Sequence, residues 1–204
     1  MRSFKSIEVQ SGIDLYLTKS STQSVEIKAK SDIIDKVITE VEGSTLKIYF
    51  ERGSRWNWNN NKMSAYVSTD QIEKLSASGG SDVEAEGRFV GDEMYINGSG
   101  GSDIEMTLSC DKLVVSVSGG SDIEVEGDAK TLKIEASGGS DFKGRAFEAK
   151  IVQANVSGGS DAYFNVSEEL IARASGGSDI HYRGDPKRKD IDSSSSSDVK
   201  KYRE

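Results

Sequence analysis

The chain has 204 residues, 35% of them apolar, and a formal net charge of −8. That length suffices for one domain with a real core, and the acidic balance excludes nucleic acid or anionic lipid as the main partner. The single Cys110 excludes an intrachain disulfide, no stretch is apolar enough to span a membrane, and no signal peptide is expected in this chain.

Residues 1–72 alternate without repeating. Ile7 and Val9 alternate, Gly12 turns the chain, and Leu15 and Leu17 alternate beyond Asp14. Such a period of two predicts strands with one buried face. Val25, Ile27 and Ala29 continue the pattern, and Asp32–Lys36 suits one short helical turn. Val37, Thr39 and Val41 then lead through Glu42-Gly43-Ser44 to Leu46, Ile48 and Phe50, which predicts a hairpin. After Arg52–Lys62 a further strand is expected at Ala65–Val67. The region reads as irregular first rungs plus a cap over an end that would otherwise expose pairing edges.

Residues 73–184 carry six copies of Ser-Gly-Gly-Ser-Asp, ending at Asp82, Asp103, Asp122, Asp141, Asp161 and Asp179, at separations of 21, 19, 19, 20 and 18 residues. Apolar residues alternate on both sides of each copy: Leu132, Ile134 and Ala136 precede one, and Ile123 and Val125 follow another. The pattern is strand, glycine turn, strand. A hairpin meander would share it. The same inward residues recur once per rung, however, and the turn chemistry is the same at every corner, so the prediction is a parallel β-helix of about 20 residues per rung. Residues 185–204 contain Lys187-Arg188-Lys189 and a serine run ending at Asp198. The run lies 19 residues beyond Asp179 and reads as a worn seventh corner closing a loose last rung, and Ser11-Gly12-Ile13-Asp14 as a degenerate early one. The domain division expected is one β-helix, 1–204.

With these motifs the chain resembles the putative auto-transporter adhesin, head GIN domain family. The Ile7–Leu17 opening, the Leu46–Phe50 strand, the six corners and Tyr182-Arg183-Gly184-Asp185-Pro186 carry the likeness. The family pattern often has Ser-Gly-Ser-Gly-Asp, whose small residues this chain shuffles. The resemblance implies a right-handed parallel β-helix exported to the periplasm, outer membrane or cell surface of a Gram-negative cell, by a leader that this chain does not include. It brings no catalytic residues.

The aspartates are the obvious chemical candidates. Rungs about 4.8 Å apart would set neighbouring carboxylates repelling by roughly 0.9 kcal/mol in water. Hydrogen bonds from turn N–H groups would offset that. A row of Ca²⁺ sites at Asp82, Asp103, Asp122, Asp141, Asp161 and Asp179 is the lesser reading, because the calcium nonapeptide repeats every nine residues or so and faces its loops in pairs. Outward positions beside the corners run Glu84, Glu105 and Glu124, then Lys143, Arg145 and Arg183. That is either a solvated face or a polarised contact surface for a partner or another copy. The lone His181 lacks the companions of a transition-metal site. Lys143, Arg145, Arg173 and Arg183 could imitate the cationic cluster of a polysaccharide-cleaving β-helix.

One stretch falls outside the repeat. Arg55, Trp56, Asn57, Trp58 and Asn59 put both tryptophans into a polar run between two strands. Such residues suit a protein or glycan partner, or the indoles fold back onto the cap. The function expected is a non-enzymatic envelope or surface protein that binds a protein or glycan partner without a cofactor. A self-associating structural module, a homo-oligomer, is the alternative, and a polysaccharide-active enzyme comes third.

Overall fold

The Ser-Gly-Gly-Ser-Asp copies stack as corners, one per rung: Asp103, Asp122 and Asp141 are register partners, as are Ser118, Ser137 and Ser157. The computed structural model describes residues 3–51 and 62–202. They form a parallel β-solenoid of about seven turns. Its early strands are β1 (Ser6–Gln10), β2 (Ile13–Lys19), β3 (Ser24–Lys28), β4 (Val37–Glu42), β5 (Thr45–Phe50), β6 (Met63–Thr69) and β7 (Lys74–Ser78). Five long ones follow: β8 (Val83–Ser99), β9 (Asp103–Ser118), β10 (Asp122–Ser137), β11 (Asp141–Ser157) and β12 (Asp161–Ser175). The last three are β13 (Asp179–Arg183), β14 (Arg188–Ser193) and β15 (Asp198–Lys201). The expected helical turn is a single 3₁₀ turn at Ile34–Lys36.

Alternation buries the residues that the pattern points inward. In β10 these are Ile123, Val125, Leu132, Ile134 and Ala136, and each meets its equivalent above and below, as Leu113, Leu132, Val152 and Leu170 do. The alternation slips by one residue ahead of the second arm in β8 to β11. Ala129 and Leu132 are both buried, so the chain changes face between them. One rung is therefore a first arm (residues 123–126 in β10), a short middle segment (127–130) and a second arm leading to the next corner.

The corners explain the paired glycines. Both take φ near +70°, as at Gly138 (φ 74°) and Gly139 (φ 70°), which a side chain resists. The first glycine is also crowded: a Cβ on Gly158 would stand 3.1 Å from the backbone nitrogen of Gly138, whereas one on Gly159 would meet nothing within 4 Å. Ser11 takes the first position at φ 70° in the earliest corner, which has no Ser-Gly-Gly corner beneath it.

The opening region is out of order in space, which sequence order alone did not foretell. β1 pairs with β5 on one side and β7 on the other, and β2 likewise lies between β6 and β8. The first rung in sequence is thus the second in the stack. Antiparallel strands cover the bottom edges: β4 pairs with β5 as the predicted hairpin, and β3 pairs with β6. At the other end, Asp198 and Val199 sit on Asp179 and Ile180, so the serine run is an ordered corner. Lys189 and Ile191 occupy inward positions over Leu170 and Ala172 but remain exposed, because no described rung lies above them.

Candidate functional site

Two side-chain ladders hold the corner. The second serine of each copy is buried, and its Oγ accepts from the backbone N–H of the equivalent serine one rung earlier: Ser102 N to Ser121 Oγ at 2.9 Å, Ser140 N to Ser160 Oγ at 3.0 Å. The aspartates run the opposite way. Asp82 Oδ1 accepts from Asp103 N at 3.1 Å, Asp141 Oδ1 from Asp161 N at 3.1 Å, and Asp179 Oδ1 from Asp198 N at 3.1 Å. Asp14 extends the row downward through a bond from the Asp82 backbone, and burial, then the charge of Asp82, raises its pKa above 3.8. The carboxylates thus add a second acceptor where the chain bends, since the N–H groups of Asp122, Asp179 and Asp198 also reach the carbonyls of Ser102, Ser160 and Ser178. Among the described residues no group of three or more His, Cys, Asp or Glu is placed to hold a metal ion.

The first arms form an exposed face. Tyr16, Glu84, Glu105, Glu124, Lys143, Tyr163, His181 and Lys200 are successive register partners up the stack. Lys143 reaches Asp122 at 2.5 Å, and this bond chiefly raises its pKa. Tyr163 stacks on His181 with ring centroids 4.6 Å apart, and the Arg145 guanidinium lies 3.7 Å over the Tyr163 ring. At the lower end Tyr16 stacks on Tyr66 at 5.0 Å, with Lys28 over Tyr66 at 4.1 Å.

The middle segments form something the sequence reading did not single out: a groove of about 1330 Å³ running along the stack. Two adjacent columns line it. One is Gly91, Cys110, Ala129, Ala149 and Val166, and the other is Val90, Ser109, Asp128, Glu148 and Asn165. Small side chains in the first column leave the space, and five rungs give a length of roughly 19 Å. Asp92, Asp111, Lys130 and Lys150 mark the turn onto the second arm. Lys130 pairs with Asp111 at 2.7 Å, Lys150 with Glu168 at 3.7 Å, Arg88 with Asp128, and Lys112 with Glu93. Burial, then Asp128 and Asp111, pushes the Cys110 thiol up to about 12, so it is no nucleophile at neutral pH. The one-residue slip in alternation was the available signal, together with small residues at Gly91, Cys110, Ala129 and Ala149.

The imagined cationic cluster is not assembled. Lys143 is held by Asp122, Arg145 by Tyr163, and Arg173 lies on a second arm where it pairs with Asp190 at 2.6 Å. Arg145 and Arg183 do border the groove where it meets the first-arm face. Arg55, Trp56, Asn57, Trp58 and Asn59 lie outside the described residues. No described helix is long and apolar enough to cross a membrane.

A family model described as "Putative auto-transporter adhesin, head GIN domain" matches residues 3–186. A crystal structure of a putative adhesin from Bacteroides fragilis is similar at a TM-score of 0.90 and 23% identity, covering 98% of this chain and 93% of that one. One of a putative adhesin from Parabacteroides merdae matches at 0.79 and 19%, covering 100% and 93%. A putative lipid binding protein from Parabacteroides distasonis matches at 0.74 and 20%, covering 98% and 93%. At these identities the likeness establishes the fold. No curated protein sequence matches the chain.

Proposed function

The chain belongs to the putative auto-transporter adhesin, head GIN domain family, and on that premise we propose that it is a non-enzymatic binding protein of the cell envelope or surface whose groove holds an extended glycan. The groove carries this reading. It is several times longer than one sugar ring, and it offers carboxylate, ammonium and hydroxyl groups along its walls from Asp111, Lys130, Ser109 and Asp128. A hydroxyl-rich chain can donate to and accept from such a mixture, and the near balance of lining acids, such as Asp92, Asp111, Asp128 and Glu148, with the cations Lys5, Lys130, Arg145, Lys150 and Arg183 gives a polyanion no net attraction. The pairing of charge on its walls, Lys130 with Asp111 and Lys112 with Glu93, supports a holding role.

The test is a glycan array run beside a peptide array, on the wild type and on Ser109→Trp, which puts an indole into the groove from a half-exposed wall position. Binding to extended neutral glycans that the variant loses supports the reading. Binding to peptides alone replaces the glycan with a protein partner, and glycan binding that Ser109→Trp leaves intact removes the groove.

A further inference from the structure

The upper end of the groove is shaped by a bulge in β11. Between Lys143 and Phe147 this strand has three residues where β10, between Glu124 and Gly127, has two, and the register with β12 breaks at the same place. Gly144 sits at the foot of the bulge: a Cβ there would stand 2.7 Å from the Phe142 ring and 2.9 Å from the Tyr163 carbonyl oxygen. Asn165, from the next rung, closes it by donating from Nδ2 to the carbonyls of Arg145 at 2.8 Å and Phe147 at 3.0 Å. Its own Oδ1 is buried with no partner, so the amide gives up an acceptor bond to hold these two carbonyls. A bulge of this kind re-aims the side chain it carries, and the charged residue on it is Arg145, which is exposed.

The Arg145 guanidinium is held but not neutralised. It lies 3.7 Å over the Tyr163 ring and 5.4 Å from that of Tyr202, Tyr202 meets Tyr163 edge-on, and Tyr163 is itself stacked on His181. Stacking occupies a face of the guanidinium and leaves its in-plane N–H groups open. Among the described residues Arg145 has no ion pair and no side-chain hydrogen bond. Lys130, Lys143 and Lys150, by contrast, are each paired with a carboxylate of this chain. From Arg145 upward the described lining of the groove carries three cations, Arg145, Lys150 and Arg183, and a single carboxylate, Glu148.

We propose that Arg145 is an acid subsite of the groove, taking the carboxylate of one uronic acid unit of the glycan. The inference rests on the groove being a glycan site, and it names the sugar that the upper end selects. A planar guanidinium meets a carboxylate through two parallel N–H···O bonds, and the bulge and the tyrosines fix its plane before the ligand arrives, which lowers the cost of ordering it. The neutral units of the chain then run down the groove past Ala129 and Ser109. One acid unit fits and a run of them does not, because Glu148, Asp128 and Asp111 follow along the walls and would repel further carboxylates. The subsite also gives the glycan a direction. At the lower end the lining cation Lys5 is already paired with Glu73 at 2.7 Å.

The Nε–Hε resonance of Arg145 reads the subsite directly in the wild-type protein. Methyl glucuronide should shift it, and methyl glucoside, the same ring without the charge, should not. Arg145→Lys keeps the charge but loses the fork, and should weaken methyl glucuronide binding at least about tenfold. Asn165→Ala leaves the charge of the site untouched and releases the bulge. It should weaken the same binding by a smaller factor and reduce the displacement that the Tyr163 ring imposes on the Arg145 resonance. The two readings fail separately. Methyl glucuronide binding without binding of any extended glycan would keep the subsite and remove the groove. Extended glycans that bind equally well with and without a terminal uronic acid would keep the groove and overturn the subsite. So would a resonance unmoved by methyl glucuronide at about 100 mM, well above a millimolar Kd, or wild-type affinity in Arg145→Lys. Methyl sulfate binding as tightly as methyl glucuronide would overturn the carboxylate in favour of a sulfated sugar.

Discussion

The Ser-Gly-Gly-Ser-Asp edge and the groove are both bends in the same rungs, yet they are built in opposite ways. At the edge, six copies share one sequence, because each residue is needed by the rung above or below. The glycines supply φ near +70°, the serine supplies an acceptor to the preceding rung, and the aspartate supplies one to the following rung. At the groove the bend is made with Cys110-Asp111 in one rung, Ala129-Lys130 in the next and Ala149-Lys150 after it. Repetition here marks what the stack requires, and variation marks where the surface is free to be specified. The aspartates, the most conspicuous residues of the sequence, are therefore structural, while the groove draws on residues that repeat in size but not in kind.

The core beneath both bends sets the upper limit of damage. Ile134 is fully buried and Lys133 beside it points outward into a contact with Glu135 at 2.7 Å. Ile134→Asp should cost several kcal/mol and unfold the domain or nearly so, because a buried charge has no partner there. Lys133→Asp should retain the wild-type circular dichroism spectrum. Equal stability of the two variants in urea would show that the inward phase is misassigned.

Substitutions at the repeated edge should come next. Gly158→Ala must both hold φ at +70° and push a Cβ to 3.1 Å from Gly138 N, while Gly159→Ala carries only the backbone strain. The second should cost about 1–2 kcal/mol, and the first measurably more. Ser140→Ala removes the acceptor of Ser121 N and one of the two acceptors of Gly120 N, which keeps the Gly138 carbonyl, and should cost about 1–3 kcal/mol. By contrast, Lys130→Ala at the groove breaks only an exposed pair with Asp111, so stability should move by less than about 0.5 kcal/mol while glycan binding falls. A stability loss at Lys130 as large as that at Ser140 would erase the distinction between the two bends.

The contrast also explains what could be read from the sequence. Period-two alternation and recurring corners gave the parallel solenoid, the inward phase and the hairpin at Glu42-Gly43-Ser44, because each rests on local pattern. The insertion of β1 between β5 and β7 was not legible: it depends on which rungs pair over long separations, and alternation is the same whichever neighbour a strand takes. The groove was missed for a related reason. It arises from small residues at one phase in five successive rungs, and each of Gly91, Cys110 and Ala129 taken alone is unremarkable core. The tryptophan run drew attention as the one stretch that breaks the repeat, whereas the groove lies within the repeat, at its least uniform positions.

Chelation tests the edge from the side of the ligand. Five aspartate carboxylates of the repeated corners accept backbone N–H groups: those of Asp82, Asp103, Asp141, Asp161 and Asp179. Removing divalent cations should therefore leave the melting temperature unchanged. A rise of many degrees on adding Ca²⁺ would mean that several sites bind the folded state, and would make the repeated edge a ligand site as well as a scaffold.

The smallest effect expected of a substitution at the edge concerns Asp14, where the ladder begins without a full corner. Its carboxyl is raised above 3.8, mainly by burial and then by Asp82, against the opposing influence of Lys62 and of the Asp82 backbone bond. A raised carboxyl means that the fold favours the protonated form, so ionisation costs stability. The stabilising contribution is complete below the unfolded value of 3.8 and is lost as pH rises through the higher folded value. Asp14→Asn keeps an oxygen to accept from Asp82 N–H but carries no charge at any pH. It should raise the melting temperature at pH 7 by no more than about 2 °C, given partial exposure, and the gain should vanish near pH 3.5. A variant less stable than wild type at pH 7 would show that the charge at the foot of the ladder is held favourably, and that the aspartate row gains from Lys62 more than it loses to its own repulsion.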